Sequence, residues 1–345
     1  MLRFIVYIMI FIATSSLLMV WAMPGLGGWR SSPHILTFTL YPDRQPRQTD
    51  IFLLDLDIGV LVNLSHTPAI PEWDSALSAQ QDRIAYVRPI QSDYMGSTAL
   101  VIQAVTAYDR THPIYQMNGI QGSREQVLLQ PRWSPDDEQI AYAAYGSGTQ
   151  LQAYVLDVQS LERQRLLASI PSTYGPSWSA SGGHLLFSRT TPRGESDLYL
   201  LPADCVPGCG ADEAQLLTAQ SGIEFFASAS PDGRWIVFVN ADPFNVAALP
   251  QLYLLPTDCL RVGSVCELEN AAPLPFPATF PYQLNQAYPI WSADSTSIYF
   301  TAFRLSIFPS QGQGALFRID RACVEVQRCQ PEIAFPFIHE FMLTY

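Results

Sequence analysis

The chain has 345 residues, 48% hydrophobic and 12% aromatic, enough apolar surface for a large core, with only 14% charged residues. Its formal net charge is −12, and all 19 basic residues are Arg. That balance excludes a nucleic-acid partner, since no basic stripe exists to neutralise phosphates, and it disfavours docking on anionic lipid heads.

Arg3 is followed by Phe4–Met23, twenty residues without a charge and long enough to cross a bilayer as a helix. Residues 1–23 are read as a transmembrane signal anchor, with membrane contact through residues 4–23. A cleaved signal peptide is the alternative, because Val20-Trp21-Ala22 offers a small-residue cleavage site. Either reading puts the rest of the chain outside the cytoplasm, in a periplasm or on a cell surface. Residues 24–32, PGLGGWRSS, form a tether reaching about 30 Å at most, and 33–345 form the folded domain.

Next come His34–Tyr41, Asp50–Asp57 and Val60–Leu64, read as the second, third and fourth strands of a repeat that lacks its first. The repeat is clearest in Pro131–Tyr142, PRWSPDDEQIAY. An aromatic ends one apolar run, a polar turn follows, and a second apolar run is reached seven residues on. Trp133 to Ile140, Trp178 to Leu185 and Trp291 to Ile298 keep that spacing, as do the weaker copies Ala229 to Ile236 and Leu77 to Ile84. Ser, Pro, Asp and Gly suit a tight turn, while Trp, Ile, Tyr and Phe suit half-buried strands, so the motif is a hairpin.

The second copy is expected over Pro71–Gln130, with Gln81–Pro89, Ala99–Val105 and Arg124–Gln130 as its later strands. Further copies start at Pro131, Pro176, near Phe226 and at Pro289. Equivalent positions lie 56, 45, 51 and 62 residues apart, so connections vary while the hairpin is kept. No stretch after Met23 has a sustained helical apolar period. At the end, Glu340–Tyr345 (EFMLTY) matches Glu224–Ala229 (EFFASA), an innermost strand, and so supplies what the first copy lacks. The predicted fold is all-β: a six-bladed β-propeller of four-stranded antiparallel blades, its ring closed by the C-terminal strand pairing with the first blade.

Six cysteines form three close pairs, Cys205/Cys209, Cys259/Cys266 and Cys323/Cys329, each after a strand-like run at the same place in its repeat. Six cysteines allow fifteen connectivities. Local pairing is favoured, because each bridge would pin one hairpin and contribute about 2–3 kcal/mol at most. Disulfides imply an oxidising compartment.

The pattern W-S-P-D-x-x-x-I-A-Y at Trp133–Tyr142, with Asp-ended third strands, resembles the propeller repeat of TolB-like proteins, among the WD-type propellers. The resemblance covers roughly residues 31–345, is specific for the fold and says little about function. It implies blades of the kind found in periplasmic scaffold proteins and in the propeller domains of prolyl-oligopeptidase-like peptidases. TolB itself carries a further N-terminal α/β domain, for which the 24–32 tether leaves no room.

No catalytic residue is expected. Gly175-Pro-Ser-Trp-Ser lacks the second glycine of a nucleophile elbow, and the hydrolase domain of the peptidases has no room here. Asp136, Asp137, Asp232 and Asp294 read as turn caps, lacking the alternating ligands of a calcium loop. Trp133, Trp178 and Trp291 read as blade core instead of a sugar platform. His34, His66, His112, His184 and His339 are scattered, with His184 in a repeat turn, and neither metal nor cofactor is expected.

In a four-stranded blade the first–second and third–fourth turns share one face, with the cysteines and the tether. The opposite face carries long apolar loops: Tyr94 and Met95, Phe244 and Leu249, then Leu305, Ile307 and Phe308, with the link Ala271–Tyr282. These read as a partner-binding surface, the alternative being that they fold over the channel. The expected function is a non-catalytic protein–protein interaction scaffold, an accessory subunit of a membrane or envelope complex. Other classes are a small-molecule or glycan sensor at the central channel, and a hydrolase or lyase with carboxylates at its mouth.

Overall fold

The seven-residue spacing becomes a set of cross-strand pairs. Leu77 faces Ile84, Trp133 faces Ile140, Trp178 faces Leu185, Ala229 faces Ile236 and Trp291 faces Ile298. These come from a computed structural model, which describes residues 32–40, 49–65, 70–90, 98–105, 115–118, 128–145, 150–166, 172–191, 193–206, 208–218, 222–242, 250–257, 271–277, 280, 284, 288–304, 313–326 and 328–336. Each turn is closed by its serine: Ser78, Ser134, Ser179, Ser230 and Ser292 accept, at Oγ, the backbone N–H five residues on. The fourth residue past the pair is left-handed in all five turns, as Gln81, Asp137, Gly182, Gly233 and Ser295. A turn of one length and one chemistry admits one register.

The strands fall into six consecutive groups. The first is β1 (Ile35–Leu40), β2 (Asp50–Asp55) and β3 (Val60–Asn63). The second is β4 (Trp73–Leu77), β5 (Arg83–Pro89), β6 (Thr98–Ala104) and β7 (Tyr115–Asn118). The third is β8 (Leu128–Trp133), β9 (Gln139–Tyr145), β10 (Leu151–Asp157) and β11 (Arg163–Arg165). The fourth is β12 (Thr173–Trp178), β13 (His184–Thr190), β14 (Ser196–Pro202) and β15 (Gln215–Leu216). The fifth is β16 (Ile223–Ala229), β17 (Trp235–Ala241), β18 (Gln251–Pro256) and β19 (Ala272–Pro273). The last is β20 (Ile290–Trp291), β21 (Ser297–Arg304), β22 (Gln313–Asp320) and β23 (Glu332–Pro336). Each group is an antiparallel meander, and one parallel pair, Ser196 with Ile223, joins the fourth and fifth into an eight-stranded sheet. Helix among the described residues is limited to α1 (Ala322–Glu325) and two short 3-10 turns.

One hydrogen bond recurs in every group. The residue after the third strand donates its N–H to the carbonyl just before the second strand: Leu56 to His34, Val105 to Asp82, Val158 to Glu138, Ala203 to Gly183, Thr257 to Arg234 and Arg321 to Thr296. The first–second and third–fourth turns are thereby tied side by side on one face. The second and third strands also share an aromatic cross-strand pair, stacked at 5.5 Å for Tyr142 and Tyr154, 5.8 Å for Phe187 and Tyr199, and 5.5 Å for Phe238 and Tyr253.

The core lies between groups. Ile51 and Leu53 pack on Ile84 and Val101; Val87 and Leu100 on Trp133 and Tyr142; Ala153 and Val155 on Trp178 and Phe187. Leu198 and Leu200 pack on Ile236 and Phe238, Val239 and Leu252 on Trp291 and Phe300, and Leu36 and Phe38 on Tyr299 and Leu316. Sheets that bury both faces against neighbours of the same kind make an all-β, propeller-like fold with almost no helix.

Three expectations are corrected. The first strands open earlier than Pro131 and Pro176, at Leu128 and Thr173. Each carries its proline inside a β-bulge, where a missing N–H costs the ladder nothing. Leu128–Gln130 accordingly belongs to β8 of the third group, and the fourth strand of the second group is β7. His184 is the first residue of β13 and not a turn residue. The expected span at residues 4–23 and the closing strand at 341–345 lie outside the described residues; among those described, no helix is long and apolar enough to cross a membrane.

Candidate functional site

Four first strands carry the same irregularity. The register slips between Trp73 and Ala76, Leu129 and Arg132, Tyr174 and Ser177, and Phe225 and Ser228. Inside each bulge one residue is left-handed: Asp74 (φ 51°), Gln130 (φ 56°), Gly175 (φ 60°) and Phe226 (φ 56°). All four stand three residues before the hairpin position marked by Leu77, Trp133, Trp178 and Ala229, and Tyr288 stands at the same distance before Trp291. Only glycine takes this conformation freely, so a bulge kept by Asp, Gln and Phe marks a position whose side chain the fold re-aims.

These five positions meet. Asp74 Oδ2 accepts the Gln130 N–H at 3.0 Å. A Cβ on Gly175 would lie 3.8 Å from both Gln130 Oε1 and the Phe226 nitrogen. The rings of Phe226 and Tyr288 have centroids 4.0 Å apart. Burial first, then the Asp74 carboxylate, push the Tyr288 phenol well above its usual pKa, against a pull from Arg132, so it stays a neutral donor. Gln130, Arg132, Gly175, Phe226 and Tyr288 enclose a cavity of about 10 Å³, room for about one water.

The cluster is polar on one side, with a carboxylate, an amide and a guanidinium, and aromatic on the other. It can hydrogen-bond and stack. His34 and His184 lie away from it: His34 Nδ1 pairs with the Tyr299 hydroxyl at 2.9 Å and His184 opens β13. Among the described residues, no three His, Cys, Asp or Glu side chains gather as a metal site.

The other sequence candidates are placed as follows. Trp133, Trp178 and Trp291 are buried, and each indole N–H donates to a carbonyl of an earlier group: Ala76 at 3.0 Å, Arg132 at 3.1 Å and Ser228 at 3.1 Å. They are core. Asp136, Asp232 and Asp294 cap their own turns through Ser134, Ser230 and Ser292. Asp137 instead reaches the preceding group, accepting the N–H groups of Ala79 at 2.6 Å and Gln80 at 2.9 Å. Cys205–Cys209 and Cys323–Cys329 are disulfides with Cα atoms 5.2 and 4.7 Å apart. Cys259 and Cys266, and the loop residues Tyr94, Met95, Phe244, Leu249, Leu305, Ile307 and Phe308, lie outside the described residues. The residue types of this cluster differ in every copy, so the sequence does not show it; only the constant three-residue offset marks it.

Residues 76–268 match the PD40 family, the TolB beta propeller domain. The chain belongs to this family. Its fold is similar to TolB from Acinetobacter baumannii, with 15% identity and a TM-score of 0.61 over 89% of this chain and 64% of that one. The TolB-family chain here thus spans somewhat under two thirds of that relative. A putative TolB from Agrobacterium tumefaciens is similar at 13% identity and a TM-score of 0.57, over 89% of this chain and 90% of the other. A puromycin hydrolase is matched over 44% of its length and 88% of this chain, with 15% identity and a TM-score of 0.53. At these identities the likeness is one of fold.

Proposed function

We propose that this TolB-family propeller is an extracytoplasmic protein-interaction scaffold without catalytic chemistry, held at a membrane by residues 4–23. The observation that carries this reading is the small cleft at the cluster of first-strand residues: the groups around Gly175 leave about 10 Å³ there, far less than a ligand needs. Recognition then falls to the faces. The connections between second and third strands at 90–97, 242–250 and 305–312 are eight or nine residues long, and they include Tyr94, Met95, Phe244, Leu249, Leu305, Ile307 and Phe308. They leave the sheets at the ends opposite the paired turns, and they fit a protein or peptide partner.

The six groups are taken as six blades in a closed ring. Support comes from contacts between the first and last groups: the Ala293 N–H donates to the Pro33 carbonyl at 3.0 Å, and Phe38 meets Phe335 at 6.2 Å. The missing inner strand of the first blade is assigned to residues 341–345. Glu340-Phe341 repeats the pairs Glu72-Trp73 and Glu224-Phe225 near the starts of β4 and β16.

The test is affinity capture from an envelope fraction with the full chain, against the variant Phe244→Asp with Phe308→Asp. Loss of a specific co-purifying protein with unchanged thermal unfolding supports the scaffold reading. Equal capture by both proteins contradicts it, as would turnover of a peptide or ester by the purified chain.

A further inference from the structure

Among the large apolar side chains exposed on the described residues, Ile58, Leu161 and Val326 stand out by position. They expose 67, 41 and 71% of their area, and each sits between a third and a fourth strand. Those connections lie on one face, tied there by the bonds from Leu56 to His34, Val158 to Glu138 and Arg321 to Thr296. The three residues come from the first, third and last groups, so they stand on three different sheets. Apolar tips that do not join into one patch lack the contiguous surface a protein partner takes, whereas a bilayer interface can take each one separately.

The chain comes in on this same face. The Ser32 hydroxyl donates to Asp57, the neighbour of Ile58. Gln81 Nε2 donates to the Ser32 carbonyl at 2.9 Å, and the Ala293 N–H to the Pro33 carbonyl at 3.0 Å. Both of those donors belong to first–second turns. Residues 1–31 precede this point, and they include the uncharged Phe4–Met23. An anchor joined through so short a tether holds the domain with this face towards the bilayer.

We infer that the face bearing the paired turns lies on a zwitterionic phospholipid bilayer, with Ile58, Leu161 and Val326 set into its interface. This rests on the anchor reading above. Interfacial insertion takes apolar side chains a few ångströms below the headgroups. Charge chooses the lipid: Asp57 flanks Ile58 and Glu162 flanks Leu161, and the chain carries a net −12, so anionic headgroups repel what zwitterionic ones accept. The opposite face, with the second–third connections, is then free for a partner.

The full chain is reconstituted in phosphatidylcholine vesicles doped with a phosphatidylcholine that carries a photoactivatable group at the glycerol level, and labelled peptides are identified by mass spectrometry. Labels are expected on 4–23 and on the turns holding Ile58, Leu161 and Val326, with none beside Ile90 on the other face. The variant Ile58→Ser/Leu161→Ser/Val326→Ser is expected to keep the 4–23 labels and lose those on the turns. Partial replacement of the lipid by phosphatidylglycerol is expected to reduce turn labelling. Labels on 4–23 with bare turns, or with both faces labelled alike, overturn the docking face and leave the anchor standing. No label on 4–23 overturns the anchor and the docking face together.

Discussion

The indole N–H of Trp133 donates to the carbonyl of Ala76, 3.0 Å away in the preceding group of strands. Ala76 precedes Leu77, the counterpart of Trp133 itself. The same one-residue offset holds for Trp178 with Arg132 and for Trp291 with Ser228. In these three hairpins the tryptophan stitches its own sheet to the one before, so the residue that marks the repeat also sets the step between repeats.

Trp133→Phe keeps most of the buried ring but leaves the Ala76 carbonyl without this donor. It should destabilise the protein by about 1–3 kcal/mol, whereas Trp133→Ala, which also opens a cavity, should cost about 3–5 kcal/mol. Denaturant unfolding at constant slope reads both. A Trp133→Phe protein as stable as the parent would show that the bond contributes nothing.

Asp137 is only 3% exposed and holds the neighbouring turn through the N–H groups of Ala79 and Gln80. In the last group Ser295 stands at the same place and accepts the N–H of Asp232 at 2.9 Å. Asp137→Ala should cost about 1.5–3 kcal/mol and speed amide exchange at Ala79 and Gln80, while Asp137→Asn retains one acceptor and loses less. Unchanged exchange at those two amides would count against the latch.

Gly175 is the one bulge residue of the four without a side chain, and a Cβ there has its nearest neighbours at 3.8 Å. Space is therefore available and backbone conformation is the obstacle. Gly175→Ala should cost about 1–2 kcal/mol through its left-handed φ alone, measured by thermal unfolding. A gain in stability would mean that the bulge is not held left-handed in solution.

Two carboxylates should pull the pH dependence in opposite directions. Hydrogen bonds from the Ser160 backbone, the Ser160 hydroxyl and the Gln159 backbone hold Asp157 below the usual carboxylate pKa. Its folded form binds protons less readily than the unfolded chain, so its stabilisation is present at neutral pH and is lost as pH falls through the carboxylate range. Burial, then Glu195, raise Asp197, whose folded form binds the proton more tightly and gains stability as pH falls. Asp157→Ala should therefore flatten the acid loss of stability. Asp197→Asn should raise stability at neutral pH and remove the gain on acidification. Unfolding curves from pH 7 to about pH 3 decide both.

The hairpins were legible in the sequence because a turn of constant length and chemistry leaves one register, as Ser134 and Gln139 show by bonding to each other. The beginnings of the first strands were harder to read. Pro131 looks like a strand breaker until the bulge at Gln130 shows that its missing N–H is not needed there. The cluster at the first strands was not legible at all: Asp74, Gln130, Gly175, Phe226 and Tyr288 share a position but no chemistry. Nor was the role of Asp137, whose two partners lie 58 and 57 residues earlier in the chain.

A closed ring requires the end of the chain to complete its beginning. Leu36 holds the place in β1 that Ile140 holds opposite Trp133 and Leu185 opposite Trp178; in the match of Glu340–Tyr345 to Glu224–Ala229, Tyr345 aligns with Ala229, the counterpart of those tryptophans. Nuclear Overhauser contacts between the backbones of Leu36 and Tyr345 in the full-length protein test this most directly. Paired strands predict a cross-strand backbone contact there, with slow amide exchange along Phe341–Tyr345. A free C-terminal segment with fast exchange, or one paired to any strand other than β1, would contradict the closed ring.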